Sequence, residues 1–234
     1  MFDIIIDRMF RKDSFVPGEY YHIYNRGIDK RIIFKSVHDY RRFMMLLYVA
    51  NSDEPIKLDN FLNILHKSYQ EVFSCERGKQ LVSIGAWGTM PNHFHILVKE
   101  EMEGGITKFM RKLGVAYSMY FNIKYQRTGS LFGGLFKAKN ISNDSYLKHL
   151  FGYISLNSLD LEFPEWEGLA GNQNPKAWRE FLKKYQYSSF LDYSGIERCE
   201  SNILNKAAFP EYFLNHKDFE DFIESYLSFD PPTS

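Results

Sequence analysis

Only two cysteines, Cys75 and Cys199, occur in the 234 residues, and neither stands in a metal-ligand spacing. Two thiols make no disulfide framework in a chain of this size, so a reducing, cytoplasmic setting is expected. Long apolar runs are lacking as well. The segment MFDIIIDRMFRK is broken by Asp3 and Asp7, and no later stretch approaches the ~20 apolar residues of a membrane span. A membrane protein and an exported one are both excluded as expectations. Net charge is the third absence, with 29 Lys and Arg against 29 Asp and Glu. Internal repeats and low-complexity tracts are missing too, which argues against a solenoid or a disordered linker protein.

What is present is an ordinary globular composition, 44% hydrophobic and 25% charged, with a surplus of rings in 16 Tyr and 21 Phe. The length fits one compact catalytic unit with an appendage. Rings in such numbers mostly pack a core, and some can stack on bases. The zero net charge hides an uneven distribution. Between Ile106 and Asn140 stand Lys108, Arg111, Lys112, Lys124, Arg127, Lys137 and Lys139 with no acidic residue, a local charge of +7. From Gly195 onward eight acidic residues face three basic ones. The basic stretch is therefore the candidate DNA-binding region, and the acidic tail is expected to lie away from a phosphate backbone.

The coarse organisation is strand, helix, strand, strand, helix, strand, helix. GEYYHIYNRG reads as a strand leaving through a turn, and the apolar spacing of DYRRFMMLLYVA predicts a helix over 37–50. Residues 51–79 read as a surface insertion with a short helix at FLNILHKSY. QLVSIGAWGTM and HFHILVKE are two apolar runs around Pro91 and Asn92, a hairpin of central strands. A helix over 106–125, a β-rich SLFGGLFKAKNIS and a helix capped by Ser142 or Asp144 follow. This order predicts an α+β fold, an antiparallel sheet backed by helices, over 1–160. Residues 161–234 form a helical and loop C-terminal extension, with an amphipathic helix around DFEDFIESYL.

Two placements carry the chemistry. His93 and His95 are two apart in a strand, so both imidazoles point to one face. Such a pair can bind a metal, or be two hydrogen-bonded structural histidines. Tyr153 and Asn157 are four apart on a helix and share a face. There Tyr153 can serve as a nucleophile and the Asn157 amide oxygen as a third metal ligand, leaving positions open for phosphate oxygens. Equally, Tyr153 can be core and Asn157 a helix C-cap. Tyr117 and Tyr120, on the preceding helix, are rival nucleophiles, and among the other histidines His22 shares a strand of the sheet.

The motifs YYHIYNRG (20–27), DYRRF (39–43), MPNHFHILV (90–98), YFNIKYQRTGSLF (120–132), YISLN (153–157) and YQYSSFLDYSG (185–195) run in a fixed order. Together they resemble the single-tyrosine HUH transposases, an IS200-like superfamily, and in particular its group associated with repetitive extragenic palindromes. The resemblance implies a ferredoxin-like sheet, His93, His95 and Asn157 as metal ligands for Mg²⁺ or Mn²⁺, and Tyr153 as nucleophile. It further implies single-stranded or hairpin DNA as partner and a covalent 5′-phosphotyrosine with a free 3′-hydroxyl. Monomer and homodimer both stay open. Two positions depart from the family: Ser158 stands where a proline is frequent, and Leu135 where a basic residue precedes FK. Two other functions compete: a hairpin-DNA-binding protein that no longer cuts, and a metal-dependent hydrolase that uses water.

Overall fold

The computed structural model describes residues 15–55, 68–164 and 175–228. The order of elements is β1 (Tyr20–Arg26), α1 (Val37–Val49), α2 (Tyr69–Val72), β2 (Val82–Met90), β3 (His93–Glu100), α3 (Gly105–Lys124), β4 (Lys137–Ile141) and α4 (Asp144–Leu156). A 3₁₀ turn, Asn157–Leu161, continues α4. Beyond it lie α5 (Pro175–Lys184), α6 (Phe190–Tyr193) and α7 (His216–Ser228). The sheet order is β2-β3-β1-β4, with β1 antiparallel to both β3 and β4 and β2 antiparallel to β3. That is the split β-α-β arrangement of a ferredoxin-like α+β fold, as the motifs imply. Among the described residues no helix is long and apolar enough to cross a membrane.

Alternation along β3 divides the molecule into two cores. Phe94, Ile96 and Val98 face α1 and α3 in one cluster with Phe43, Leu47, Phe109, Leu113 and Tyr117. Leu97 faces the other way, in a cluster with Leu147, Leu150, Phe151 and Ile154 of α4. His93 and His95 share the parity of Leu97 and so lie on the α4 face. Helix α4 buries positions 147, 150, 151 and 154, the i, i+3, i+4, i+7 stripe of an amphipathic helix. Its N-cap is Asn143, whose side chain accepts from the Tyr146 N–H at 3.0 Å, rather than Ser142 or Asp144. Gly88 of β2 fixes how closely α4 lies: a Cβ there would stand 2.8 Å from the Ile154 carbonyl oxygen.

Two sequence expectations are trimmed. The β-rich stretch after residue 130 forms a continuous strand only over Lys137–Ile141, preceded by one isolated bridge from Phe132 to Gly27, and between them Gly134 takes φ of 146°, a conformation L side chains rarely adopt. The insertion shows the short helix α2, whereas the FLNILHK part of its expected helix lies outside the described residues. The C-terminal extension covers the edge of the sheet. Thr89 N–H donates to the Tyr187 carbonyl, Ser189 N–H to that of Trp87, and Asn205 N–H to that of Ile84. An edge strand satisfied in this way is not a template for another chain, and all nine residues of β2 are buried. The tail helix α7 contributes Phe219 and Ile223 to the α4-side core.

Candidate active site

β1 and β3 present a row of rings to the α4 face. The register pairs Tyr24 with His95 and Arg26 with His93, and sets His22 beside Leu97. His22 Nε2 and His95 Nδ1 are 2.9 Å apart, both rings buried. His93 Nδ1 lies 2.6 Å from Asn92 Oδ1. The His93 and His95 ring centroids are 5.1 Å apart, and Tyr24 stacks on His95 at 5.7 Å.

Helix α4 brings Tyr153 onto the same row. Its ring lies edge-on to His95 at 5.4 Å and to His22 at 6.0 Å between centroids. Asn157 is the C-cap of α4, its N–H donating to the Tyr153 carbonyl, and its side chain is near enough to His93 to favour that ring's charged form. The C-cap reading of Asn157 is thus the one its backbone fulfils. Tyr153, His93, His95, Tyr24, Arg26 and Lys137 line a cleft of about 470 Å³, and exposed Leu135 forms part of its wall.

Burial sets the protonation of the row. Desolvation, aided by the charge of Lys139, pushes His22 down to about 4. Desolvation and then Arg26 lower His93 to about 4, against the opposing influence of the Asn157 side chain, which favours the protonated ring as an acceptor. His95 is held well below the usual imidazole range by burial, with its two histidine neighbours adding to the effect. All three rings are neutral near pH 7, the state in which an imidazole nitrogen can ligate a metal. Among the described residues no group of three or more His, Cys, Asp or Glu is arranged to hold a metal.

The rival tyrosines lie elsewhere. Tyr117 is fully buried on the α3 face, its hydroxyl donating to the Ile33 carbonyl at 2.6 Å, and burial raises its phenol far above the ordinary value. Tyr120 donates to Asp39 Oδ1 at 2.9 Å on that same face.

The seven basic residues divide between the faces. Lys137 lines the cleft, and Lys139 lies on the same strand with its ammonium 4.5 Å over the Tyr146 ring. Lys108, Arg111, Lys112 and Lys124 are on α3, behind the sheet. Lys108 donates to the Asp53 carbonyl, Lys112 to those of Ser52 and Glu54, and Lys124 to Asp39 at 2.6 Å. Arg127 reaches Asn122 at 3.3 Å and lies 5.7 Å over the Phe121 ring. Sequence reasoning singled out neither Tyr24 nor Arg26 as a site residue. Both were legible as the i+2 and i+4 partners of His22 on one strand face.

The fold and cleft define a class: an α+β protein of split β-α-β topology, with paired histidines on a central strand and a tyrosine on the helix across from them. Residues 58–157 match the family model described as "Transposase IS200 like", a window that contains His93, His95, Tyr153 and Asn157. The family resemblance carried by the motifs holds over that segment. No curated protein matches the chain. Among solved structures, one titled "Structure of the REP associates tyrosine transposase bound to a REP hairpin" aligns at TM-score 0.44 and 10% identity, over 82% of this chain and 89% of that one.

Proposed function

We propose that this chain is a tyrosine-nucleophile, divalent-metal-dependent endonuclease and strand transferase acting on single-stranded DNA near hairpins. The observation that carries the reading is the convergence of Tyr153 with His93 and His95 on one cleft, inside the segment that matches the IS200-like transposases. His93, His95 and Asn157 would hold Mg²⁺ or Mn²⁺. When bound, such an ion would supply Lewis-acid stabilisation of the charge that develops on the phosphate.

The Tyr153 hydroxyl oxygen attacks the phosphorus and gives up its proton to water, forming a phosphotyrosine bond; the bond from phosphorus to the 3′ oxygen breaks, and that oxygen takes a proton from water and leaves as a 3′-hydroxyl. Because one phosphodiester replaces another, attack by a second strand's 3′-hydroxyl reverses the step without ATP. Neutral histidines leave the cleft without cationic imidazoles, so Arg26 and Lys137 supply its positive charge and hold the DNA backbone. Tyr24, stacked on His95, keeps that ligand's ring in place from one side. On this reading Lys137 and Lys139 face the DNA, whereas Lys108, Lys112 and Lys124 serve the fold, and Arg111 and Arg127 lie on its margin.

Incubation with hairpin-bearing single-stranded DNA and Mn²⁺, followed by a denaturing gel, tests the reading. A protein–DNA adduct that requires metal is the expected product. Cleaved DNA without an adduct would replace the reading by a water-using hydrolase, and binding without cleavage would replace it by a hairpin-binding protein.

A further inference from the structure

A buried hydrogen bond between two imidazoles contains one proton, and its position decides what the second nitrogen of each ring can do. His22 Nε2 and His95 Nδ1 are 2.9 Å apart, and both residues are less than a tenth exposed. At that separation two N–H groups would collide and two lone pairs would repel, so one ring donates and the other accepts. If His22 donates, His95 carries its own proton on Nε2 and has no lone pair left for a metal. If His95 donates, its Nε2 is a bare acceptor.

The neighbouring histidine shows which polarity the site uses. Asn92 Nδ2 donates to the Lys30 carbonyl at 3.2 Å, and a carbonyl can only accept, so the orientation of this amide is fixed. Asn92 Oδ1 therefore faces His93 Nδ1 at 2.6 Å, and His93 must be the donor. Its proton is on Nδ1 and its Nε2 is the acceptor. The pair from β3 is thus held at the same ring atom, Nδ1, by one residue each, Asn92 for His93 and His22 for His95.

We propose that His22 is a positioning residue: its Nε2 accepts the Nδ1–H of His95, locking His95 in the tautomer whose Nε2 lone pair matches that of His93. The inference rests on the metal-site reading above and assigns a role to a residue outside the ligand set. Outer partners of this kind fix ring orientation and ligand basicity, and their loss typically weakens metal binding by about 10- to 100-fold. A mere packing role for His22 would make any ring or aliphatic of similar size an adequate substitute. An acceptor role would not, because the tautomer of His95 would then be free to change.

The test compares wild type, His22→Leu and His22→Gln. Gln can place an acceptor oxygen near the position of Nε2, whereas Leu fills the space without one. Long-range ¹H–¹⁵N spectra of the metal-free protein should show His95 and His93 protonated at Nδ1 and His22 unprotonated at Nε2. Mn²⁺ titration, read by the electron paramagnetic resonance of free Mn²⁺, should give at least about tenfold weaker binding for His22→Leu, with His22→Gln within about threefold of wild type. A wild-type His95 protonated at Nε2, or Mn²⁺ binding to His22→Leu as tight as wild type, would overturn the inference. His95→Ala serves as the reference. If it too leaves Mn²⁺ binding unchanged, the metal-site reading has failed, and the tautomer spectra decide the hydrogen-bond assignment by themselves.

Discussion

Tyr120 and Tyr153 lie on helices packed against opposite faces of one sheet, and their surroundings differ in kind. On the α3 face, fully buried Asp39 accepts from the backbone N–H groups of Lys35 and Ser36, from the hydroxyls of Tyr120 and Tyr125, and from Lys124. Burial alone would raise its carboxyl. The hydrogen bonds from Lys124, Tyr125 and Tyr120 outweigh that and hold it below the usual range. Phenols and ammonium groups there are occupied by a charge inside the fold. On the α4 face no carboxylate among the described residues lines the cleft, the histidines are neutral, and Tyr153, Arg26 and Lys137 form part of its wall. The same residue types thus gather around an internal anion on one side and line a cleft beside neutral imidazoles on the other.

Breaking each face in turn should give opposite signatures. Tyr153→Phe deletes one oxygen and should abolish DNA adduct formation while the melting temperature and hairpin binding stay near wild type. Tyr120→Phe should leave adduct formation intact. His93→Ala or His95→Ala should eliminate metal-dependent cleavage with the fold retained, checked by circular dichroism and a cleavage assay in chelator-treated buffer with Mn²⁺ restored. Asp39→Ala strands Lys124 and two phenols, and should cost about 3 kcal/mol in urea unfolding, the scale for breaking a buried ion pair. Lys137→Glu should weaken hairpin binding by about tenfold at low salt and flatten its salt dependence, whereas Lys112→Glu should not.

A further effect is on pH. His22 and His93 titrate near 4 in the folded chain and near 6.5 when unfolded. Between those values the unfolded state binds more protons, so stability rises with pH. The contribution is fully present above about 6.5 and is lost as pH falls toward 4. Urea midpoints of the metal-free protein across that window should decline, and His22→Leu should flatten the decline.

Much of the α4 face was legible in the sequence because its determinants are local. The two-residue spacing of His93 and His95 and the four-residue spacing of Tyr153 and Asn157 fix shared faces before any tertiary contact forms. The α3 face was not legible in that sense. The run from Lys108 to Lys139 reads as seven cations without a partner, yet Asp39 and the carbonyls of residues 52–54 that engage three of them lie far upstream. Strand pairing likewise sends Lys137 and Lys139 to the side opposite α3, and a charge count along the chain contains no information about that. His22 could be flagged as a neighbour of the histidine strand, but its contact with His95 depends on the β1–β3 register.

The central claim is that the oxygen joined to DNA belongs to Tyr153. Protease digestion of the denatured adduct, followed by mass spectrometry of the nucleotide-bearing peptide, reads this directly. The account predicts a 5′-phosphate-linked nucleotide on Tyr153, within the segment Tyr153–Asn157. Modification of Tyr24, Tyr117 or Tyr120 in its place would contradict it.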